Sequence, residues 1–301
     1  MIDATLAWPA QIAIALALGL LFGSFANVCI HRLPEGRSVV WPGSACPSCE
    51  APVRWFDNIP VLSFIVLGGR CRRCRWPIPW RYPLVEAASA VLLASLAAQH
   101  GLTLRWAALS WLAVSILVLV PIDLRHGILP DRVTLPGIAA GVGFSAFGED
   151  PGLRGALMGA LMGGVVPYAV RTLYMAYARA RSAWRKRPPA PTVPPLSEGE
   201  VEVEAEVESE ERREGMGLGD VKMLAMVGAF LGISKVLLTM LLGSVIGSIY
   251  VVPLVLLGRH TMKTPVPFGP FLGVAALVSL FWGAEIIDWY LGLVVTLPIT
   301  G

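Results

Sequence analysis

An all-helical polytopic membrane protein is what this 301-residue sequence predicts, with about eight spans and a small cysteine-rich cytosolic loop expected to bind zinc. Three observations lead there. Hydrophobic residues make up 55% of the chain and charged residues only 15%, against about 45–50% and about 25% in soluble domains. The apolar residues fall into long charge-free runs. The basic residues fall almost entirely into the segments on one side of those runs. Length alone would suggest two soluble domains, and a mean hydropathy of +0.65 argues against them. The same composition excludes collagen-like, disulfide-rich and wholly disordered chains.

A spanning helix needs about 20 mainly apolar residues. The runs are 4–30, 87–104, 106–122, 133–148, 155–170, 223–234, 236–258 and 264–284. The apolar stretch 289–301 reads as the end of the last helix or an interfacial tail. The first run has no basic residue before it, and at 27 residues it exceeds the core of a cleavable signal. It therefore reads as a permanent first helix. Lys and Arg favour the cytoplasmic side. With the N-terminus outside and strict alternation, 20 of the 24 basic residues lie inside and three outside. Arg171 falls within a span. The chain then divides into a first helix (1–30), a cytosolic four-cysteine loop (31–82), helices two to five (83–180), a linker (181–214), and helices six to eight (215–301).

The linker is proline-rich and then acidic. It holds nine of the chain's 21 acids, and without them and two nearby arginines the remainder carries a net charge of +10. Proline blocks regular pairing and like charges repel, so disorder is expected there. No repeat of a solenoid or transporter kind is present.

Cys46, Cys49, Cys71 and Cys74 form two CxxC pairs. Such spacing suits a structural four-thiolate Zn²⁺ site, closed to substrate. A cytosolic loop is also unfavourable for disulfides. The arginines beside the cysteines (Arg70, Arg72, Arg73, Arg75) favour thiolates and can face anionic lipid. Cys29 ends the first helix and reads as a packing residue. The four histidines lack ligand spacing.

Two acids fall at the ends of spans that are too short without them. Asp123 follows the run 106–122, and Asp220 precedes the run 223–234. Completing either helix draws its acid into the membrane margin, on the same face. Ionisable groups there are costly and often functional. By residue chemistry they are a catalytic pair, proton carriers of a transporter, or structural helix ends. Asp131 reads as a helix cap or a substrate contact. Lys222 either snorkels to the surface or tunes the pair. Asn27, beside Gly23 and Ser24, serves helix packing or substrate docking. The glycines before Asp220 do not follow a strand, so a phosphate-binding fingerprint is unsupported.

Four segments in this order resemble the type IV prepilin peptidase family of GxGD membrane aspartic proteases. They are GSFANVCIHRLP at 23–34, the paired CxxC loop, DLRHGILPD at 123–131, and GMGLGDVKMLAMVGAFLG at 215–232. The resemblance covers nearly the whole chain. It implies that Asp123 and Asp220 are the catalytic aspartates. It also implies a bacterial inner-membrane enzyme that cuts the basic leader from prepilins or pseudopilins at the cytoplasmic face. Methylation of the new N-terminus by S-adenosylmethionine is further implied. The linker is longer and more acidic than the family leads one to expect. No residue pattern for methyl transfer is evident. The acids of the first loop (Glu35, Glu50, Asp57) either hold a cationic group or pair with arginines. Membrane lipid is an expected partner and nucleic acid is not. Competing readings are a proton-coupled transporter and a zinc-assembled scaffold. A zinc protease is disfavoured because no HExxH occurs.

Overall fold

A computed structural model describes residues 7–148, 150–185, 217–257 and 267–296. Most of these residues are helical, the main exception being 33–80; no strands and only two isolated bridges occur among the described residues. The helices are α1 (Trp8–Arg32), α2 (Leu62–Val66), α3 (Arg81–His100), α4 (Leu104–His126), α5 (Asp131–Ala146), α6 (Gly152–Arg185), α7 (Leu218–Leu256) and α8 (Gly269–Thr296).

Six of these helices are long and apolar enough to cross a membrane. Eight were expected, and the difference has two sources. The fourth expected span is α5, which has only 16 residues. At 1.5 Å per residue it is about 24 Å long, against about 30 Å of hydrocarbon. The sixth and seventh expected spans fall within the single 39-residue element α7.

That element is not straight. Gly232 has φ 79° and ψ −177°, a break inside the helix. Such a φ favours glycine. A methyl group at Gly273 would meet Met223 at 3.6 Å, and one at Gly247 would meet Phe268 and Phe271 at 3.4 and 3.5 Å. Met223 and Gly247 would lie about 36 Å apart along a straight helix. Both instead meet the first turns of α8, so the chain turns back at Gly232. Lys235, just past the break, packs on Gly283 at the middle of α8.

Lipid supplies little hydrophobic drive for helix pairing, so close contact depends on small residues. The α1–α3 pair uses Gly19 and Gly23 against Ala90 and Glu86. A longer ladder joins α6 to the first half of α7. There Gly159 faces the Gly228 carbonyl, Gly163 faces the Leu224 carbonyl, and Gly228 faces the Gly159 carbonyl. Any side chain at these positions would strike backbone. The core between α4, α7 and α8 is built from Leu112, Ile116, Leu119, Met223, Met226, Val227 and Leu272.

The linker expected at 181–214 begins later than 181. Residues 181–185 continue α6, where Ala and Arg are good helix formers. Residues 186–216 lie outside the described residues. The apolar stretch from 289 continues α8 to Thr296.

Candidate active site and cysteine cluster

Asp123 and Asp220 arrive at one end of the bundle from opposite helix ends. Asp123 occupies the last turn of α4. That helix closes at Gly127 in the left-handed region (φ 61°), whose N–H donates to the Asp123 carbonyl at 2.9 Å. Asp220 occupies the first turn of α7, where Gly217 is the N-cap. The Gly217 N–H lies within hydrogen-bonding reach of the Asp220 carboxyl. An acid three residues into a helix that reaches back to the cap is half of a capping box.

Both acids are nearly inaccessible, at 6% and 7% exposure. The carboxyl of Asp123 lies within electrostatic reach of Asp220. Asp123 also sits against the start of α8, where a methyl group at Gly269 would come within 2.5 Å of Oδ2. The Gly269 N–H faces this carboxyl, yet Oδ2 accepts no hydrogen bond among the described residues. A buried acceptor without a donor is uncommon and suits a group that exchanges a proton.

The glycine before Asp220 has a local reason. A methyl group at Gly219 would lie 2.8 Å from Cβ of Leu129. Leu129 belongs to the short loop after Asp123, so the two aspartate segments pack through this glycine. Asp131 does not cap α5. Pro130 is the N-cap, and Asp131 lies in the first turn with its carboxylate turned to Lys222. Lys222 Nζ donates to Asp131 Oδ1 at 2.6 Å. The cap expectation fails because the helix begins at Asp131 itself, which leaves the cap position to Pro130.

Asn27 is a packing residue. It is buried on α1, and its Nδ2 donates to the Tyr82 carbonyl at 3.0 Å. Asn27 and Ser24 also lie within hydrogen-bonding reach of Glu86. Glu86, 8% exposed, is a polar centre that composition did not disclose. Its Oε2 accepts from the Val61 N–H at 2.7 Å. Two of the three first-loop acids, Glu35 and Asp57, pair with arginines. Asp57 takes a bidentate hydrogen bond from Arg72, with Nη2 at 2.7 Å. Glu35 faces Arg37 at 3.0 Å and His31 at 3.7 Å. The Arg72 guanidinium holds the Asp57 carboxyl below the usual carboxylate range, and Arg37 does the same for Glu35.

Residues 17–100 match the bacterial peptidase A24 N-terminal domain, and residues 106–252 match the type IV leader peptidase family. Two relatives, from Aeromonas hydrophila and Pseudomonas aeruginosa, are each 35% identical. The first aligns over 93% of both chains and the second over 92% of both. A third, from Burkholderia pseudomallei, is 34% identical over 91% of this chain and 86% of its own. All three are named prepilin leader peptidase/N-methyltransferase. This chain belongs to the type IV leader peptidase family. No solved structure matches it. Both aspartates lie within the leader-peptidase match, and all four loop cysteines lie within the N-terminal one.

The cysteines of this leader peptidase converge as their spacing suggests. The Sγ atoms of Cys46, Cys49, Cys71 and Cys74 lie within 4.8 Å of one another, and Cys46 Sγ to Cys74 Sγ is 3.7 Å. Four sulfurs at about 2.3 Å from a tetrahedral ion would be about 3.8 Å apart, so the donor set fits a metal.

The local fold is the same knuckle built twice. Cys46 N–H donates to the Ala51 carbonyl and Cys71 N–H to the Trp76 carbonyl. Glu50 and Arg75, each following the second cysteine of a pair, have φ 55° and 61°. Bridges pair Ala45 with Pro52 and Arg70 with Pro77. The crowded thiols share charge unevenly. The N–H groups of Cys74 and Arg73 bring Cys71 down to about 6. The Ala51 N–H favours the Cys49 thiolate, but desolvation and the three other thiols push it up to about 11. A dication at the centre would relieve this competition. Cys29 lies apart, buried among Ala26, Ile30 and Val118.

Proposed function

We propose that Asp123 and Asp220 are the acid–base pair with which this leader peptidase removes the leader of prepilins or pseudopilins. The carrying observation is two buried carboxyl groups from different helices, brought within electrostatic reach at one end of the bundle. Two such groups cannot both ionise easily, and they share a proton. The ionised partner takes a proton from water, and the water oxygen attacks the scissile carbonyl. The protonated partner donates to the developing oxyanion. Collapse of the tetrahedral intermediate breaks the C–N bond as the amide nitrogen is protonated. The pair titrates as a unit. Proton-coupled transport has no support among the relatives.

The relatives' names include N-methyltransferase, and we assign to this chain methylation of the newly exposed N-terminus with S-adenosylmethionine as the methyl donor. That sulfonium would transfer its methyl group to the free amine. The first loop is its proposed location. The four cysteines would hold a structural Zn²⁺ that fixes the two knuckles. Zinc would have no open position for chemistry.

The aspartate end is assigned to the cytoplasmic face of the bacterial inner membrane, with the N-terminus outside. The asymmetry of 20 basic residues against three supports this. Arg105, paired with Asp150 at 2.8 Å, and Lys235 cluster at the opposite end. The test mixes purified protein with a prepilin, with and without S-adenosylmethionine. A shortened product, gaining one methyl group only with the donor, is the expected result. An unshortened prepilin with active-site residues intact would refute the reading.

A further inference from the structure

The segment between the two knuckles has a surface that neither cleavage nor metal binding explains. Residues 55–66 read WFDNIPVLSFIV, and most of their apolar side chains face outward. Trp55 is 81% exposed, Ile65 67% and Val66 70%, with Leu62 also exposed. From 44 to 80 only Cys46 is buried, so this region has no core of its own to receive them. Contiguous exposed apolar groups mark an interaction surface.

Position identifies the partner. Val61 has φ 60° and ψ −48°, a conformation rare for a β-branched residue. Its neighbours close a γ-turn, with Leu62 N–H donating to the Pro60 carbonyl at 2.6 Å. The Val61 N–H is thereby aimed at Glu86, five residues into α3. The ring of Phe64 lies 4.8 Å from that of Trp80, immediately before α3. These two contacts hold α2 alongside the first turns of a membrane span. Its outward apolar side chains are therefore held where the span enters the bilayer.

Charge narrows the partner further. Residues 44–81 contain six arginines against Glu50 and Asp57. Asp57 is engaged by Arg72, and Arg54, Arg70, Arg73 and Arg75 are exposed. Exposed tryptophan and aliphatic groups flanked by arginine fit the boundary between acyl chains and anionic headgroups.

We infer that residues 55–66 and the second knuckle form a docking face for anionic phospholipid. Its apolar side chains enter the interfacial layer and its arginines meet lipid phosphates. The first loop is then a platform fixed flush to the membrane. Val85, next to Glu86, shares a buried cluster with Ile122, next to Asp123, so the platform borders the aspartate site.

The test uses full-length protein with the photoreactive residue benzoylphenylalanine at position 65, or more conservatively at position 55. The protein is placed in vesicles of phosphatidylglycerol or of phosphatidylcholine, with and without a prepilin. Benzoylphenylalanine at Val91, which is 61% exposed on α3, serves as the lipid-facing control. Illumination should join position 65 to lipid, with higher yield in phosphatidylglycerol. Replacing Arg70→Gln or Arg73→Gln should lower the yield there about fivefold each, the equivalent of about 1 kcal/mol per charge. Yield in phosphatidylcholine should be unchanged. Absence of lipid adduct at 65 and 55 while Val91 labels would overturn the inference. Crosslinking to a second copy or to the prepilin instead of lipid would overturn it as well.

Discussion

Lys222 Nζ lies 2.6 Å from Asp131 Oδ1, and this pair joins the two segments that carry the aspartates. Lys222 follows Asp220 by two residues, and Asp131 opens the helix after the Asp123 loop. The bond spans the site without touching its acids. An exposed pair of this kind contributes at most about 1 kcal/mol to stability. Asp131→Asn and Lys222→Met should therefore insert and melt almost as the parent does. Cleavage should slow in each, and the double variant should be no worse than either single one. Kinetics on one prepilin, with thermal melts in detergent, check this.

Asp123→Asn and Asp220→Asn should behave differently. Each keeps the shape of the side chain and removes the ionisable group. Cleavage should fall more than about a thousandfold in either variant, with membrane insertion unchanged. Mass spectrometry of the prepilin after long incubation reads the residual rate. Substantial turnover by either variant would remove that residue from the pair.

Gly159→Val and Gly228→Val should destabilise the bundle by about 1–3 kcal/mol or more, because each places a side chain against backbone. Gly143 on α5 has open space around it. Gly143→Ala should be neutral or slightly stabilising. Melting temperatures measured in the same detergent would separate close packing from a general cost of losing glycine.

The metal prediction concerns the first loop alone. Purified protein should carry about one zinc ion per chain, and Cys46→Ser or Cys74→Ser should lose it. Chelation should unlock amide exchange in residues 44–80 and leave exchange in α4 and α7 unchanged. Metal analysis together with hydrogen exchange provides both readouts.

The pH dependence of this loop follows from Asp57. Arg72 lowers its folded pKa below the unfolded value of about 4. The pair's contribution is thus present above pH 4 and is lost as pH falls through the folded pKa. Amide protection around residues 55–58 should decline in acid, and Asp57→Asn should remove that decline. A decline of the same size in the variant would contradict the assignment.

The sequence singled out Asp123 and Asp220 as candidates because an acid at the end of a short apolar run has few inexpensive structural explanations. It disclosed the cysteines because their spacing is specific. Other features left fainter traces. The Gly159–Gly228 ladder adds nothing to charge or hydropathy, and only the spacing of Gly155, Gly159 and Gly163 hints at it. Asp131 read as a cap because local rules cannot anticipate a partner 91 residues away. Glu86 looked like an ordinary helix-start acid until Val61, Ser24 and Asn27 were seen around it. The turn at Gly232 was implied by the charge at Lys235, but the broken residue itself was not.

That turn has a consequence for what can be cut. Residues 218–231 make a helix of only about 21 Å, shorter than the hydrocarbon layer is thick. Because the turn lies toward the far side, Asp220 is suspended below the near surface. Under the proposed assignment of Asp220 to cleavage, the first half of α7 would act as a ruler. A peptide bond that stays in water does not reach the ruler's end, and one deep in the bilayer passes it. On that assignment, only a bond at the seam where a soluble tail becomes an apolar helix would be measured to the right depth.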